Sequence, residues 1–120
     1  MKNKKILISY LTYVNDKNFE RRYPIFKKTF EEFKKLKSNK NLYFLSIDNN
    51  SSNIVKKELI ESNIFNATLH LDENFYDMSL LYYTSKFAIE ENIDYIFYTY
   101  DDFEFFNYDF SNDCISFLES

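Results

Sequence analysis

The sequence predicts an α/β fold with a doubly wound, mostly parallel sheet. Short runs of apolar and aromatic residues alternate with amphipathic, helix-like segments along its 120 residues. The runs lack strict apolar–polar alternation, which is typical of strands buried on both faces of a sheet. Regular alternation of strands and helices favours right-handed crossovers and parallel pairing. We expect residues 1–120 to form a single domain.

The first half of the chain contains two predicted strands and one predicted helix. Lys5 to Tyr13 is rich in Ile, Leu and Tyr and predicts the first strand, and the polar segment Asn15 to Arg22 predicts a loop. Pro24 suits the first turn of a helix. A second strand is predicted from Leu42 to Ile47. The helix between the strands carries apolar residues at helical spacing, namely Phe26, Phe30, Phe33 and Leu36.

The second half continues the alternation. Helices are predicted over Ile54 to Ser62 and Met78 to Glu91, and strands over Ala67 to Leu71 and Ile93 to Tyr100. A further short helix is predicted from Asp109 to Ser120. The first of these helices is expected to face the core with Val55, Leu59 and Ile60. The second has an apolar side formed by Met78, Leu81, Tyr82, Ser85 and Ala88 or Ile89.

Composition and charge exclude several classes of function. The chain has no glycine, which excludes the GxxxxGK phosphate loop and the GxGxxG dinucleotide motif. A net charge of −4 disfavours a general nucleic-acid-binding protein. A single cysteine, Cys114, excludes an internal disulfide and fits a reducing compartment. Because no apolar stretch has the length of a membrane span or a signal peptide, we expect a cytoplasmic protein.

An acidic cluster follows the fourth predicted strand and contains Asp101, Asp102 and Glu104. In doubly wound sheets, ligands bind beyond the carboxyl ends of the strands. Carboxylates on such a support suit Mg²⁺ or Mn²⁺, which could neutralise the diphosphate of a nucleotide-sugar and the charge that develops on the leaving group. The alternative interpretation is a solvated turn after a strand.

A second polar cluster, Asp48 to Asn53, follows the second predicted strand. It contains several residues that cap helix N-termini, so a structural turn is an alternative to a ligand site. The only histidine, His70, lies in an apolar segment, and we expect it to be a hydrogen-bonded core residue rather than a ligand or base.

The segment Tyr95 to Glu104 resembles the strand and DxD-type motif of family 2 and related GT-A glycosyltransferases. The resemblance implies that Asp101 lies near the ribose of the donor and that Asp102 binds the metal. An alternative frame, Asp102-x-Glu104, makes Glu104 a second metal ligand.

Two further segments resemble the same family. Leu45 to Asn53 is similar to its second strand and acid-rich "VDDGSTD"-like turn, which implies that Asp48 contacts the nucleotide base and that Asn50 replaces the usual glycine. Ile6 to Tyr13 is similar to its first strand and the loop that cradles the base, which implies base contacts from Thr12 and Tyr13.

The resemblance implies that the chain is the Rossmann-like, nucleotide-sugar-binding half of a GT-A fold. The implied partners are a UDP- or GDP-linked donor, Mg²⁺ or Mn²⁺, and an unidentified saccharide or lipid-linked acceptor, without nucleic acid. The family's acceptor-binding half, which supplies the catalytic base of inverting members, has no counterpart here, so no base is assigned. The lysine-rich end of the first helix suits contact with the inner membrane surface. The alternative function is a non-catalytic α/β interaction module or a remnant of a longer glycosyltransferase.

Overall fold

The computed structural model describes residues 4–38, 42–103, 116, 118 and 119, which form an α/β fold. A four-stranded, all-parallel sheet has the order β3-β2-β1-β4 and is flanked by three α-helices, which confirms the predicted fold class. A 3₁₀ turn, Lys35–Ser38, follows the first helix. The elements are β1 (Ile6–Thr12), α1 (Phe19–Lys34), β2 (Leu42–Asn49), α2 (Asn53–Glu61), β3 (Ala67–Leu71), α3 (Asp77–Glu90) and β4 (Tyr95–Tyr100).

The sheet separates two apolar layers, as a doubly wound fold requires. Alternate residues of β1 point to opposite faces, so Ile8 and Tyr10 join one layer and Leu7 and Leu11 join the other. The first layer is completed by buried residues of α1 and α2, namely Phe26, Phe30, Phe33, Val55 and Leu59. The second is completed by residues of α3, including Leu80 and Ala88. Helices α1 and α2 therefore cover one face and α3 covers the other.

The direction in which the chain adds strands to the sheet changes at β1. From β1 the chain adds β2 and then β3 on one side, and β4 returns to the opposite side of β1. Such a reversal opens a crevice between the carboxyl ends of the two strands that flank it, where doubly wound proteins bind ligands. In this protein that position, between the ends of β1 and β4, is filled by Asp101 and its bonds to Tyr13 and Arg22. The groove described below lies on the other side of β1, between the loops after β1 and β2.

Helix α1 begins earlier than predicted, at Phe19, inside the segment expected to be a loop. The cause is local, because Asn15 and Asn18 exchange hydrogen bonds in which the backbone N–H of each donates to the side-chain oxygen of the other, at 2.8 and 2.9 Å. These bonds fix the chain just before the helix. Pro24 consequently lies in the second helical turn rather than the first, where its missing N–H costs one helical hydrogen bond.

Most of the apolar side predicted for α3 faces outward, which corrects the expectation from sequence, although Ala88 is buried as one of its two predicted alternatives. The other buried residues of the helix are Ser79, Leu80 and Thr84. A buried contact of 2.5 Å between the hydroxyls of Thr84 and Ser9 explains part of the error, because paired polar residues on the inner face mask the apolar periodicity. In α2, Val55 and Leu59 are buried as predicted, but Ile60 is exposed.

Among the residues that the structure describes, four have positive φ angles: Asn50, Asn63, Tyr76 and Asn92. Asn63 and Asn92 follow the ends of α2 and α3, at the position where glycine commonly ends a helix.

Several predictions fall on residues that the structure does not describe. Glu104 and Cys114 lie outside the described residues, as does most of the helix predicted from Asp109 to Ser120. Within the described part of the chain, no helix combines the length and apolar character needed to cross a membrane.

Candidate functional site

Asp101, the first residue after β4, joins the ends of β1 and β4 to helix α1. Its carboxylate accepts a 2.8 Å hydrogen bond from the backbone N–H of Tyr13 and pairs with the guanidinium of Arg22 on α1. Its own N–H donates to the carbonyl of Leu11 at 3.0 Å, and its carbonyl accepts the hydroxyl of Thr29 at 2.5 Å. Three elements therefore meet at one residue, which is only 3% exposed.

Burial determines the electrostatics of Asp101. Removal from water raises the pKa of its carboxyl above the usual value, and the Tyr13 N–H and Arg22 oppose that rise only in part. Both carboxylate oxygens are engaged, and the residue is buried, so little of the carboxylate is open to a ribose. The geometry therefore favours a structural role for Asp101, which joins the end of β1 to helix α1. Its ribose contact stays a prediction.

Asp48 lies at the end of β2 and is completely buried. One carboxylate oxygen accepts the backbone N–H of Ser51 at 2.9 Å, and the other lies 2.9 Å from Nδ1 of His70 on β3. The carboxylate therefore holds the turn after β2 and links it to the edge strand. His70 has the hydrogen-bonded partner that we expected, but its side chain is 31% exposed rather than part of the core.

Asn50 adopts the left-handed conformation that the sequence predicts for it, with φ of 56°. Its side-chain oxygen accepts a 3.2 Å hydrogen bond from the ammonium of Lys56 on α2. The residue is exposed and lines the groove described below.

The left-handed position at residue 50 should tolerate glycine but not a side chain that lacks the local hydrogen bonding of Asn. We expect Asn50→Ala to lower the free energy of unfolding by about 1 kcal/mol, because a Cβ is unfavourable there. Asn50→Gly should stay within about 0.5 kcal/mol of the parent, because easier backbone geometry offsets the greater entropy lost on folding. Urea denaturation of both variants tests this, and equal losses for Ala and Gly would contradict it.

Thr12 ends β1 and Tyr13 follows it, between the carboxyl ends of β2 and β4. Thr12 is buried, and its hydroxyl makes no hydrogen bond to any residue that the structure describes. Tyr13 is half-buried, and its phenol oxygen accepts a 2.9 Å hydrogen bond from the side chain of Asn15. Of the three predicted base contacts, Thr12, Tyr13 and Asp48, only Tyr13 lines the groove.

An open groove of about 750 Å³ lies between the loop after β1 and the loop after β2. This volume is in the range of small-molecule sites in proteins. Two aromatic rings, two lysines, two carboxylates and several amide side chains line it, among them Tyr13, Asn15, Asp16, Lys17, Phe19, Glu20, Asn50, Asn53 and Lys56. The groove therefore combines surfaces for a planar ring with charged groups of both signs.

Hydrogen bonds fasten the two walls of this groove to each other. The N–H of Val14 donates to the hydroxyl of Ser51 at 3.0 Å, and the N–H of Ser52 donates to the carbonyl of Val14 at 2.9 Å. Ser52 is also the N-cap residue of α2, although its hydroxyl does not cap the helix. The first N–H groups of α2 therefore lie at the border of the groove without a side-chain cap.

Asp102 differs from Asp101 and Asp48 because it is exposed. Among the described residues, no group of three or more His, Cys, Asp or Glu side chains is arranged to hold a metal ion. The second predicted ligand, Glu104, lies outside the described residues. Asp102 is thus the one predicted metal ligand whose position is known, and it offers a single carboxylate.

The predicted site residues occupy one edge of the sheet but form two groups. Asp101 and Tyr13 are in direct contact, and Asp48 and Asn50 share a turn. Strand β1 separates the ends of β2 and β4, so the two groups are about 10 Å apart across the sheet. Asp48 is buried while Asp102 is exposed, so the two carboxylates do not face each other across an open cleft.

Sequence reasoning missed the partners of the buried carboxylates. Arg22 was placed in a loop and Thr29 was not considered, yet both hold Asp101. The spacing of Arg22 and Thr29 along α1 could have shown that they share a face with Phe26. Lys17 and Lys56 were also missed, and no local motif identifies them as groove residues.

Comparison with known proteins gives this chain no relatives: no protein-family model, no curated protein and no solved structure matches it.

Proposed function

We propose that the chain is a glycosyltransferase-like domain that binds a nucleotide-diphosphate sugar with the help of a divalent metal ion. The observation that carries the proposal is the groove between the loops after β1 and β2, which contains Tyr13 and Asn50 and opens at the carboxyl edge of the sheet. Ligands of doubly wound sheets bind at that edge. The nucleotide would occupy the groove, with the sugar directed toward an unidentified saccharide or lipid-linked acceptor.

The groove has the chemistry that a nucleotide requires. Tyr13 and Phe19 offer aromatic surface for a base, and Asn15, Asn50 and Asn53 offer amide donors and acceptors for its edge. Lys17 and Lys56 supply the positive charges of the groove, which also carries the carboxylates of Asp16 and Glu20. Base contacts would therefore come from Tyr13 and Asn50 rather than from Asp48, whose carboxylate is buried.

The metal belongs at Asp102, at the end of β4. One carboxylate holds Mg²⁺ or Mn²⁺ weakly, but these ions commonly complete their coordination with substrate phosphates and water. A single exposed Asp102 fits a metal that binds together with the nucleotide. The ion would neutralise the charge of the diphosphate; Asp101 would hold Tyr13 and α1 in place beside it. Such a domain would act in the cytoplasm, at the inner surface of the membrane.

Calorimetry with UDP and GDP, each with and without Mn²⁺, tests the proposal. We expect nucleotide binding that Mn²⁺ strengthens, because the ion takes part of its coordination from the diphosphate. Asp102→Ala should abolish the effect of Mn²⁺ on nucleotide affinity. Lys56→Ala should weaken nucleotide binding about three- to tenfold with or without the metal, because it removes one charge–phosphate contact.

Glu61→Ala is the matched control, since this exposed carboxylate lies at the far end of α2. It should bind nucleotide and metal like the parent. Absence of nucleotide binding under all conditions would refute the proposal, and so would an Asp102→Ala variant that keeps the full Mn²⁺ effect.

A second function, an interaction module, is favoured by one observation. The segment from residue 75 to residue 89 exposes six large apolar side chains. This surface does not border the groove, and it is developed in the following subsection.

A further inference from the structure

The outer face of α3 and the loop before it form an exposed apolar surface, here called the α3 face. Its large side chains are between 47% and 78% exposed and comprise Phe75, Tyr76, Met78, Leu81, Tyr82 and Ile89. Contiguous apolar patches of this kind on soluble domains mark sites of interaction. Leu80, Thr84 and Ala88 already attach the opposite side of the helix to the sheet, so the α3 face is not required for the core.

The α3 face is large enough for a stable interface. Its six side chains expose roughly 800 Å², which matches the contribution of each partner to a protein interface of standard size. It is also separate from the groove, because α3 covers the face of the sheet opposite to α1 and α2.

We propose that the α3 face pairs with the same face of a second copy of this chain, with the two α3 helices antiparallel. Two-fold pairing requires a surface that is complementary to itself. A two-fold axis between Leu81 and Tyr82 places Leu81 of each copy opposite Tyr82 of the other. Residues equally distant from that point then lie at the same height, since both helices rise 1.5 Å per residue, and those on the facing side of each helix meet.

This arrangement matches large side chains with small ones. Met78 lies opposite Ser85 of the second copy, where the small serine leaves room for the longer side chain. Ile89 extends toward the loop before α3 of the second copy. Parallel pairing would instead bring Met78 of one copy against Met78 of the other.

Light scattering coupled to size-exclusion chromatography, over about 5 to 300 µM of the full chain, tests the pairing. We expect a species of twice the 14.7 kDa chain mass that dissociates on dilution. Leu81→Glu should weaken dimerisation at least tenfold, because it brings two carboxylates into the apolar centre. Leu81 is exposed in one copy, so far-UV circular dichroism of this variant should show an unchanged fold.

Ile60→Glu is the matched control, because Ile60 is an equally exposed apolar residue on α2, away from the α3 face. It should dimerise like the parent. A chain that stays monomeric at every concentration refutes the pairing, and if that monomer sediments with anionic lipid vesicles, the α3 face is a membrane contact instead. A dimer that Leu81→Glu leaves intact also refutes it, since another surface must then form the interface.

Discussion

Asp101→Ala should lower the free energy of unfolding by about 3 kcal/mol, which is the loss expected when one member of a buried ion pair is removed. The substitution leaves the N–H of Tyr13 and the guanidinium of Arg22 without their acceptor. Arg22 is partly exposed and can regain water, which limits the loss. Burial also raises the pKa of Asp101, because removal from water disfavours the charged carboxylate. The ion pair with Arg22 therefore contributes less to the free energy of unfolding than its close contact alone would indicate.

Two variants separate the role of this carboxylate from general effects at the strand end. Asp101→Asn keeps one acceptor oxygen but presents an amide to the second donor, and should cost about 1 to 2 kcal/mol. Asp102→Ala, the exposed neighbour, should change stability by less than about 0.5 kcal/mol. Urea denaturation followed by circular dichroism measures all three variants. Equal losses at residues 101 and 102 would contradict the structural role assigned to Asp101.

Phe33→Ala should be the most destabilising substitution in the described core, with a loss of about 3 to 5 kcal/mol. The ring is completely buried, and its centroid lies 4.6 Å from that of Tyr10 and 5.6 Å from that of Phe44. Removing it opens a cavity between α1 and both central strands, which neighbouring rings cannot fill without leaving their own contacts. The loss is comparable with the total stability of many small domains, so this variant should unfold in part at 37 °C.

A graded series makes the Phe33 prediction quantitative. Phe33→Leu retains most of the apolar volume and should cost about 1.5 kcal/mol, clearly less than Phe33→Ala. Phe103→Leu, at a ring that is 41% exposed, should cost less than about 0.5 kcal/mol. Thermal denaturation ranks the three, and a loss at Phe103 that equals the loss at Phe33 would overturn the assignment of the core to α1 and the central strands.

Local pattern was sufficient for the fold class and for most strands. The strand predicted from Ala67 to Leu71 has the bounds that the structure gives to β3, and the apolar runs of β1 and β2 are buried as expected. The orientation of α3 was not predictable in this way. Both of its faces carry apolar residues, and only contacts with β1, such as Ser9 with Thr84, show which one turns inward.

The candidate site shows the same limit. Its carboxylates were found because acids follow apolar strands, but whether each is free or engaged depends on residues far away in the chain. Asp101 is held by Arg22, 79 positions earlier, and Asp48 by His70, 22 positions later. No local motif encodes such contacts. The sequence therefore located the edge of the sheet that carries the polar groups, and the structure distinguished the exposed Asp102 from its two buried counterparts.

The absence of glycine has a consequence for the unfolded chain as well. Glycine is the most flexible residue in a disordered polypeptide, and its ordering costs the most entropy. By using Asn50, Asn63 and Asn92 at left-handed positions, the protein accepts some strain when folded but begins from a stiffer unfolded ensemble. Each such asparagine should recover up to about 1 kcal/mol of the entropy that a glycine would forfeit. The three asparagines therefore reduce the conformational entropy that the chain loses on folding, because they restrict the unfolded chain. No contact in the native structure shows this effect.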